Sequence, residues 1–322
     1  MNQIKLLTWP DYVSPKTLID FENEYQVRVQ LEIVPSAIEL MERMRASARS
    51  IDVLVPPDYA VRELAGAGRL LGLDHARLPG LRDLEPRFRI GRAHDPASRV
   101  SILKDWGTTG FMFRTDSIPQ QLRSWADFWA AAEANSGRVT VLDSPGEVIG
   151  AALKMRGASY NAAFADQLSV ARDDILRLKP HLHSFETNYK PLLASGAAVL
   201  ALGWNGDAAA LIAQGVPVKY VVPAEGSQIW EDDWAIAADT ANPEIAHTFL
   251  NFVLRPEVAV QEARFTRYAT GNLSARILLE RNIVDDPSTY PPEAVLEKLE
   301  AGVPLPVDAQ ARRAQLWKEV RG

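Results

Sequence analysis

Five apolar runs in this chain stop abruptly at aromatic or acidic residues. Ile4 to Thr8 runs into Trp9-Pro10-Asp11-Tyr12, and Ile51 to Val55 into Pro56-Pro57-Asp58-Tyr59. Arg138 to Leu142 ends at Asp143-Ser144-Pro145-Gly146-Glu147, and Ala198 to Gly203 at Trp204-Asn205-Gly206-Asp207. Gln228-Ile229 is followed by Trp230-Glu231-Asp232-Asp233-Trp234. Helical patterns lie between these runs, so the chain reads as α/β with a largely parallel sheet. Ligands of open α/β sheets bind beyond the carboxyl ends of the strands. The first four runs therefore end where a ligand should sit, in π faces and carboxylates. That pair of groups recognises an organic cation, through charge-assisted hydrogen bonds to ammonium and cation–π attraction.

A length of 322 residues predicts two domains, and 47% hydrophobic with 24% charged residues supports a packed core. The net charge of −6 favours neither nucleic acid nor an anionic membrane surface. With zero cysteines the chain has no disulfide, thiol nucleophile or cysteine-type zinc site. No run approaches the ~20 apolar residues of a membrane span. Met1-Asn2-Gln3 leads directly into the first strand pattern, so no signal peptide is read. That fits a cytosolic protein, or a periplasmic one whose leader is removed and whose Met1 is an expression start.

Ser36-Ala37-Ile38-Glu39 reads as a capping box, with Leu40, Met41, Met44 and Ala48 at helical spacing behind it. Val61, Leu64, Ala65 and Leu70 mark a helix closing near Gly66 and Gly68. Ser124 to Asp127 predicts another cap, with Trp125, Phe128, Trp129 and Ala132 as a core face. Pro243 and Pro256 each stand at a first helical position. With no long linker, two domains must be joined by crossing strands. Trp106 to Gly110 and Val221 to Gly226 are the candidate crossings, both with glycine that permits hinge-like change.

Each acid has an ordinary structural explanation beside the functional one. Pro10-Asp11 is good turn chemistry. Ser144-Pro145-Gly146-Glu147 reads as a capping box, and Asp207 as an N-cap. Period-2 alternation puts Trp230, Asp232 and Trp234 on one face, the strongest candidate cation site. Tyr268 is a further aromatic in a turn-rich segment. His75, His94, His181, His183 and His247 read as surface residues, and no metal site is expected. No nucleophile elbow, phosphate loop or dinucleotide fingerprint appears, which argues against an enzyme.

Taken in order, these pieces resemble the polyamine-binding proteins of bacterial ABC importers, most of all the putrescine-binding type. The resemblance runs nearly end to end. It includes Trp9 to Tyr12, Asp52 to Pro56, Leu142 to Val148, Gly203 to Asp207, Val222 to Gly226, Asn251 to Ala259 and Tyr290-Pro291-Pro292. It implies a type II periplasmic-binding-protein-like fold, two α/β lobes with a ligand cleft between them. The lobes would hold residues 1–108 with 232–275, and 109–231 with 276–322. The ligand residues it implies are Trp9, Asp11, Tyr12, Glu147, Trp204, Asp207, Trp230, Asp232 and Tyr268. Asp58 and Tyr59 join them as departures, bulkier and more acidic than the residues of the putrescine type. Pro10 and Pro57 stand where relatives often carry a hydroxyl, and Trp234 replaces a different apolar residue. Arg62 and Arg267 are the arginines placed near the pocket, and neither replaces a matched acid.

The expected function is capture of a di- or polyamine and its delivery to a membrane ABC permease complex. The protein would be a periplasmic monomer needing no cofactor and binding no nucleic acid. The rivals are a same-fold binder of a zwitterion such as an amino acid, γ-aminobutyrate or an opine, a ligand sensor, and a carboxylate-pair hydrolase.

Overall fold

In the computed structural model, which describes residues 2–46 and 51–322, the strands follow the apolar runs. In chain order they are β1 (Asn2–Thr8), β2 (Val27–Ile33), β3 (Val53–Leu54), β4 (Ser101–Arg114) and β5 (Val139–Val141). They continue with β6 (Leu182–Phe185), β7 (Leu200–Trp204), β8 (Val218–Val221), β9 (Gln228–Ile236) and β10 (Glu300–Ala301). Met1 and Ala48 lie outside the described residues. The chain divides into two units, 1–106 with 230–285 and 107–229 with 286–322. The first crossing falls at Trp106–Gly107. The return falls at Ile229–Trp230 inside β9, and not in Val221–Gly226, which belongs wholly to the second unit.

In the first unit β1 lies between β2 and β3, both parallel to it, with Leu6 opposite Val53 and Leu7 opposite Leu54. β9 adds antiparallel to β3, Val53 facing Ile236 and Leu54 facing Ala235. Ile4, Leu6 and Leu7 of β1 are fully buried, and since neighbouring residues point to opposite faces, both faces of the strand are covered. Leu7 and Leu54 pack with Leu40, Met41, Val61 and Leu64. On helix Pro15–Tyr25, Phe21 stands edge-on to Phe249, 5.0 Å between centroids, and to Phe252, 5.4 Å. Helix Pro243–Val253 begins at its proline as predicted and buries Ala246, Phe249, Leu250 and Val253, whereas Ile245 is half-buried. Ser36 Oγ accepts from Glu39 N at 3.2 Å, forming the expected cap. Leu70 is not helical: the helix ends at Gly66, Gly68 turns the chain at φ +65°, and Leu70 bridges Ala237.

In the second unit β4 pairs antiparallel with β7 and β8, β5 lies parallel to β7 and β6, and β10 parallel to the start of β9. Helix Trp125–Ala134 carries the full capping box, Ser124 Oγ accepting from Asp127 N at 3.0 Å and Asp127 accepting in return from Ser124 N. Trp125, Phe128 and Trp129 are core as predicted, with the Trp125 and Phe128 rings tilted against Phe111. Gly110 serves close packing. A Cβ there would lie 2.3 Å from Val221 O, so only glycine lets β4 approach β8.

Candidate ligand-binding residues

The first unit gathers Tyr12, Trp230, Asp232 and Tyr268. β1 delivers the turn carrying Tyr12, and β9 delivers Trp230 and Asp232. Tyr268 follows helix Pro256–Thr266, whose end Arg267 closes at φ +64°. The Tyr268 ring stands edge-on to Trp230, 4.8 Å between centroids, and 6.0 Å from Tyr12. The Tyr12 hydroxyl lies 2.6 Å from Asp105 Oδ1 and 2.7 Å from Asp232 Oδ2. Lys104 Nζ meets Asp105 at 2.7 Å, sits 3.5 Å from Glu262 and lies 4.1 Å above the Tyr12 ring.

Asp58 starts helix Asp58–Gly66, beside the bridge between Pro57 and Asp232. Burial first, then the Asp105 and Asp58 charges, push Asp232 up to about 8. Burial likewise pushes Asp58 up to about 7, against the pull of His94 and of the Tyr59 amide at 2.6 Å. Among the described residues neither acid has an ion-pair partner. Such carboxylates are poorly stabilised in the ionised form, and an arriving cation supplies what the fold withholds.

The neighbouring acids of β9 are different. Glu231 and Asp233 point to Arg92, whose guanidinium bonds Glu231 at 2.7 Å and also Asp233. His94 Nε2 stands 3.0 Å from Asp233, and Ser101 Oγ donates to it at 2.6 Å. The Arg92 and His94 charges hold Asp233 well below the usual carboxylate range. His94, Glu231 and Asp233 could group around a metal by distance, but Arg92 already occupies the place of the cation. Two histidines depart from the surface expectation because they find buried partners. His94 joins this network, and His247 accepts from Asp74 N at 3.1 Å while its Nδ1 lies 2.7 Å from Pro243 O. Trp234 faces the core, 5.5 Å from Phe249, so the aromatic face of β9 narrows to Trp230.

The second unit gathers Glu147 and Trp204. The predicted capping box does not form at Ser144, since helix Pro145–Met155 has no side-chain cap. The Glu147 carboxylate is engaged elsewhere: Trp204 Nε1 donates to it at 3.3 Å and the Tyr160 hydroxyl at 2.9 Å. With its amide turned to satisfy both neighbours, Gln228 donates at 2.9 Å as well. Burial raises Glu147 above the ordinary glutamate value. These partners are neutral, so this acid too lacks a cation among the described residues.

Asp207 lies in the first turn of helix Asn205–Ala213, whose N-cap is Trp204, so it is not the N-cap expected. The Tyr189 hydroxyl donates to it at 2.8 Å and Lys190 Nζ pairs with it at 2.9 Å. Its charge is thus already met, unlike that of Glu147. Trp9 is half-buried against the core of the first unit. Asp11 is exposed at φ +52°, and Tyr59 is exposed.

Sequence reasoning missed Lys104, Asp105, Tyr160 and Gln228. Lys104-Asp105 carried a usable signal, two charges inside an apolar strand, which require buried partners. Tyr160 and Gln228 carried none.

The model of the bacterial extracellular solute-binding protein family matches residues 16–288. The spermidine/putrescine-binding periplasmic protein 1 of Haemophilus influenzae is 30% identical, covering 92% of this chain and 82% of that protein. The putrescine-binding periplasmic protein PotF of Escherichia coli is 30% identical, covering 92% and 85%. Among solved structures, the spermidine/putrescine ABC transporter substrate-binding protein PotD of Streptococcus pneumoniae superposes with a TM-score of 0.88. It is 25% identical and covers 100% of this chain and 99% of that one. The α/β fold is the type II periplasmic-binding-protein fold expected from the sequence. By the reach of the family model and the coverage of these relatives, the chain belongs to the bacterial extracellular solute-binding proteins.

Proposed function

We propose that this protein captures a di- or polyamine in the periplasm and delivers it, as a monomer and without turnover, to a membrane ABC importer. The observation that carries this is the state of three acids. Asp58 and Glu147 are buried and Asp232 half-buried, Asp232 beside the Tyr12 phenol and Glu147 beside the Trp204 indole and Tyr160 phenol, and no cation forms an ion pair with them among the described residues. Each unit carries its own acid-and-aromatic cluster suited to an ammonium group, Asp232 with Asp58 against Trp230 and Tyr268 in the first and Glu147 beside Trp204 in the second. Asp207, Trp9, Asp11 and Tyr59 are supporting contacts in this reading. The names of the relatives, which bind putrescine or spermidine, point the same way.

Calorimetric titration with putrescine, cadaverine, spermidine, γ-aminobutyrate and arginine tests it. Micromolar or tighter binding of an amine, lost in Asp232→Ala, is the expected result, with the amine recovered unchanged. Binding of a zwitterion with silence for every amine refutes the ligand assignment.

A further inference from the structure

One hydroxyl proton faces two carboxylates at Tyr12. Asp105 Oδ1 at 2.6 Å and Asp232 Oδ2 at 2.7 Å both stand at hydrogen-bond distance from the same oxygen. A phenol has a single proton to donate. If both acids were ionised, one of these contacts would press a carboxylate oxygen against a phenol oxygen with nothing between them. Lys104 relieves this only in part: its charge reaches Asp232, but its ammonium lies on Asp105 Oδ2 at 2.7 Å and near Glu262 at 3.5 Å. The other charged neighbours add to the strain or are already engaged. Asp58 brings a further acid, while Glu231 and Asp233 are held by Arg92 and His94 on their own side of β9.

We propose that in the free protein a proton resides between Asp232 and Tyr12, and that an arriving ammonium displaces it, so that capture exchanges one proton for one cation. With that proton present, every contact is a proper hydrogen bond. Asp232 donates to the Tyr12 oxygen, Tyr12 donates to Asp105, and Asp105 is neutralised by Lys104. When the ammonium docks on Asp232, its N–H groups become the donors. The Asp232 proton leaves to water, and Tyr12 keeps its own. Tyr12 and Asp105 are positioning residues in this scheme, because they act through Asp232. The raised affinity of Asp232 for its proton, to about 8, agrees with the geometry.

The proposal rests on the amine reading above, and the test separates the two. Wild-type protein is titrated with putrescine at pH 7 in buffers of different ionisation enthalpy. A slope of roughly 0.9 proton released per amine or more is expected from Asp232 at about 8, falling towards zero at pH 9. Affinity should climb up to about tenfold per pH unit and flatten above about 8. Infrared spectra of the ligand-free protein should show protonated carboxyl absorption at pH 7 that loses one carboxyl's intensity in Asp232→Asn. Asp105→Asn should move the affinity midpoint to lower pH, since Tyr12 is then free to donate to Asp232. Tight putrescine binding with no released proton, or no such infrared loss in Asp232→Asn, overturns the exchange and leaves the amine reading standing. Failure of every amine to bind overturns that reading and the exchange with it.

Discussion

Asp232→Asn should stabilise the ligand-free protein, and the gain should depend on pH. An unfolded aspartate titrates near 3.9, whereas Asp232 in the fold is pushed up to about 8. The folded state therefore holds an extra proton between those values, and stability falls as pH rises through that window. Below about 4 both states are protonated and the acid carries no penalty. Above about 8 both are ionised and the penalty is complete. At about 1.4 kcal/mol per pH unit the ceiling is roughly 5–6 kcal/mol. Asp232 keeps part of its surface exposed, which screens its charge, and asparagine brings an amide that needs partners of its own. The net gain should be about 2–4 kcal/mol at pH 8. That is a rise of roughly 4–16 °C in Tm, from about 2–4 °C per kcal/mol in a domain of this size. Thermal unfolding of both proteins without ligand at pH 4, 6 and 8 measures it. An equal Tm difference at all three values, or a lower Tm for the variant at pH 8, would refute the reasoning.

Lys104→Met should destabilise the first unit by about 3–5 kcal/mol in chemical unfolding, because it strands the buried Asp105 charge. Gly150→Ala should loosen the second unit by about 1–3 kcal/mol. It should also weaken amine binding, since its Cβ would fall 2.0 Å from the Tyr160 ring that holds Glu147. Ser124→Ala should remove the capping box and lower stability by about 1 kcal/mol while amine affinity stays unchanged, a control for unfolding effects in calorimetry.

Much of the fold was legible because it is written locally. The apolar runs became strands, Pro243 and Pro256 began their helices, and the Ser124–Asp127 pair closed its box. The errors arose where a distant partner decided. Ser144 to Glu147 has the spelling of a cap, yet Glu147 turns to Trp204 and Tyr160 because neutral donors from elsewhere reach it first. Asp207 has the spelling of an N-cap, yet Trp204 takes that place, and Lys190, 17 positions earlier with nothing local to announce it, pairs with the Asp207 carboxylate. Tyr12 and Asp105 are 93 positions apart, and Tyr12 and Asp232 are 220 apart. Only the register of β1 against β3 and of β3 against β9 brings the ends of these strands together.

The segment Glu231-Asp232-Asp233 shows how one strand register separates fold from function. Three consecutive acids have the same chemistry, and composition cannot tell them apart. The pleat sends alternate side chains to opposite faces. Glu231 and Asp233 thereby fall on the side of Arg92, where a fully buried guanidinium binds both and holds Asp233 ionised far into acid. Asp232 falls on the side of Tyr12, where no arginine among the described residues forms an ion pair with it. The outer two acids are spent on internal ion pairs, and the middle one remains available to a cation from outside. A one-residue slip of β9 would exchange these roles, burying two uncompensated acids at the aromatic side and leaving Arg92 with a single partner. The bonds from Asp233 N to Pro56 O and from Ala237 N to Asp52 O, at 3.0 Å each, hold β9 against that slip. The network around Arg92 therefore serves recognition without touching ligand, because it fixes the register that leaves Asp232 unpaired.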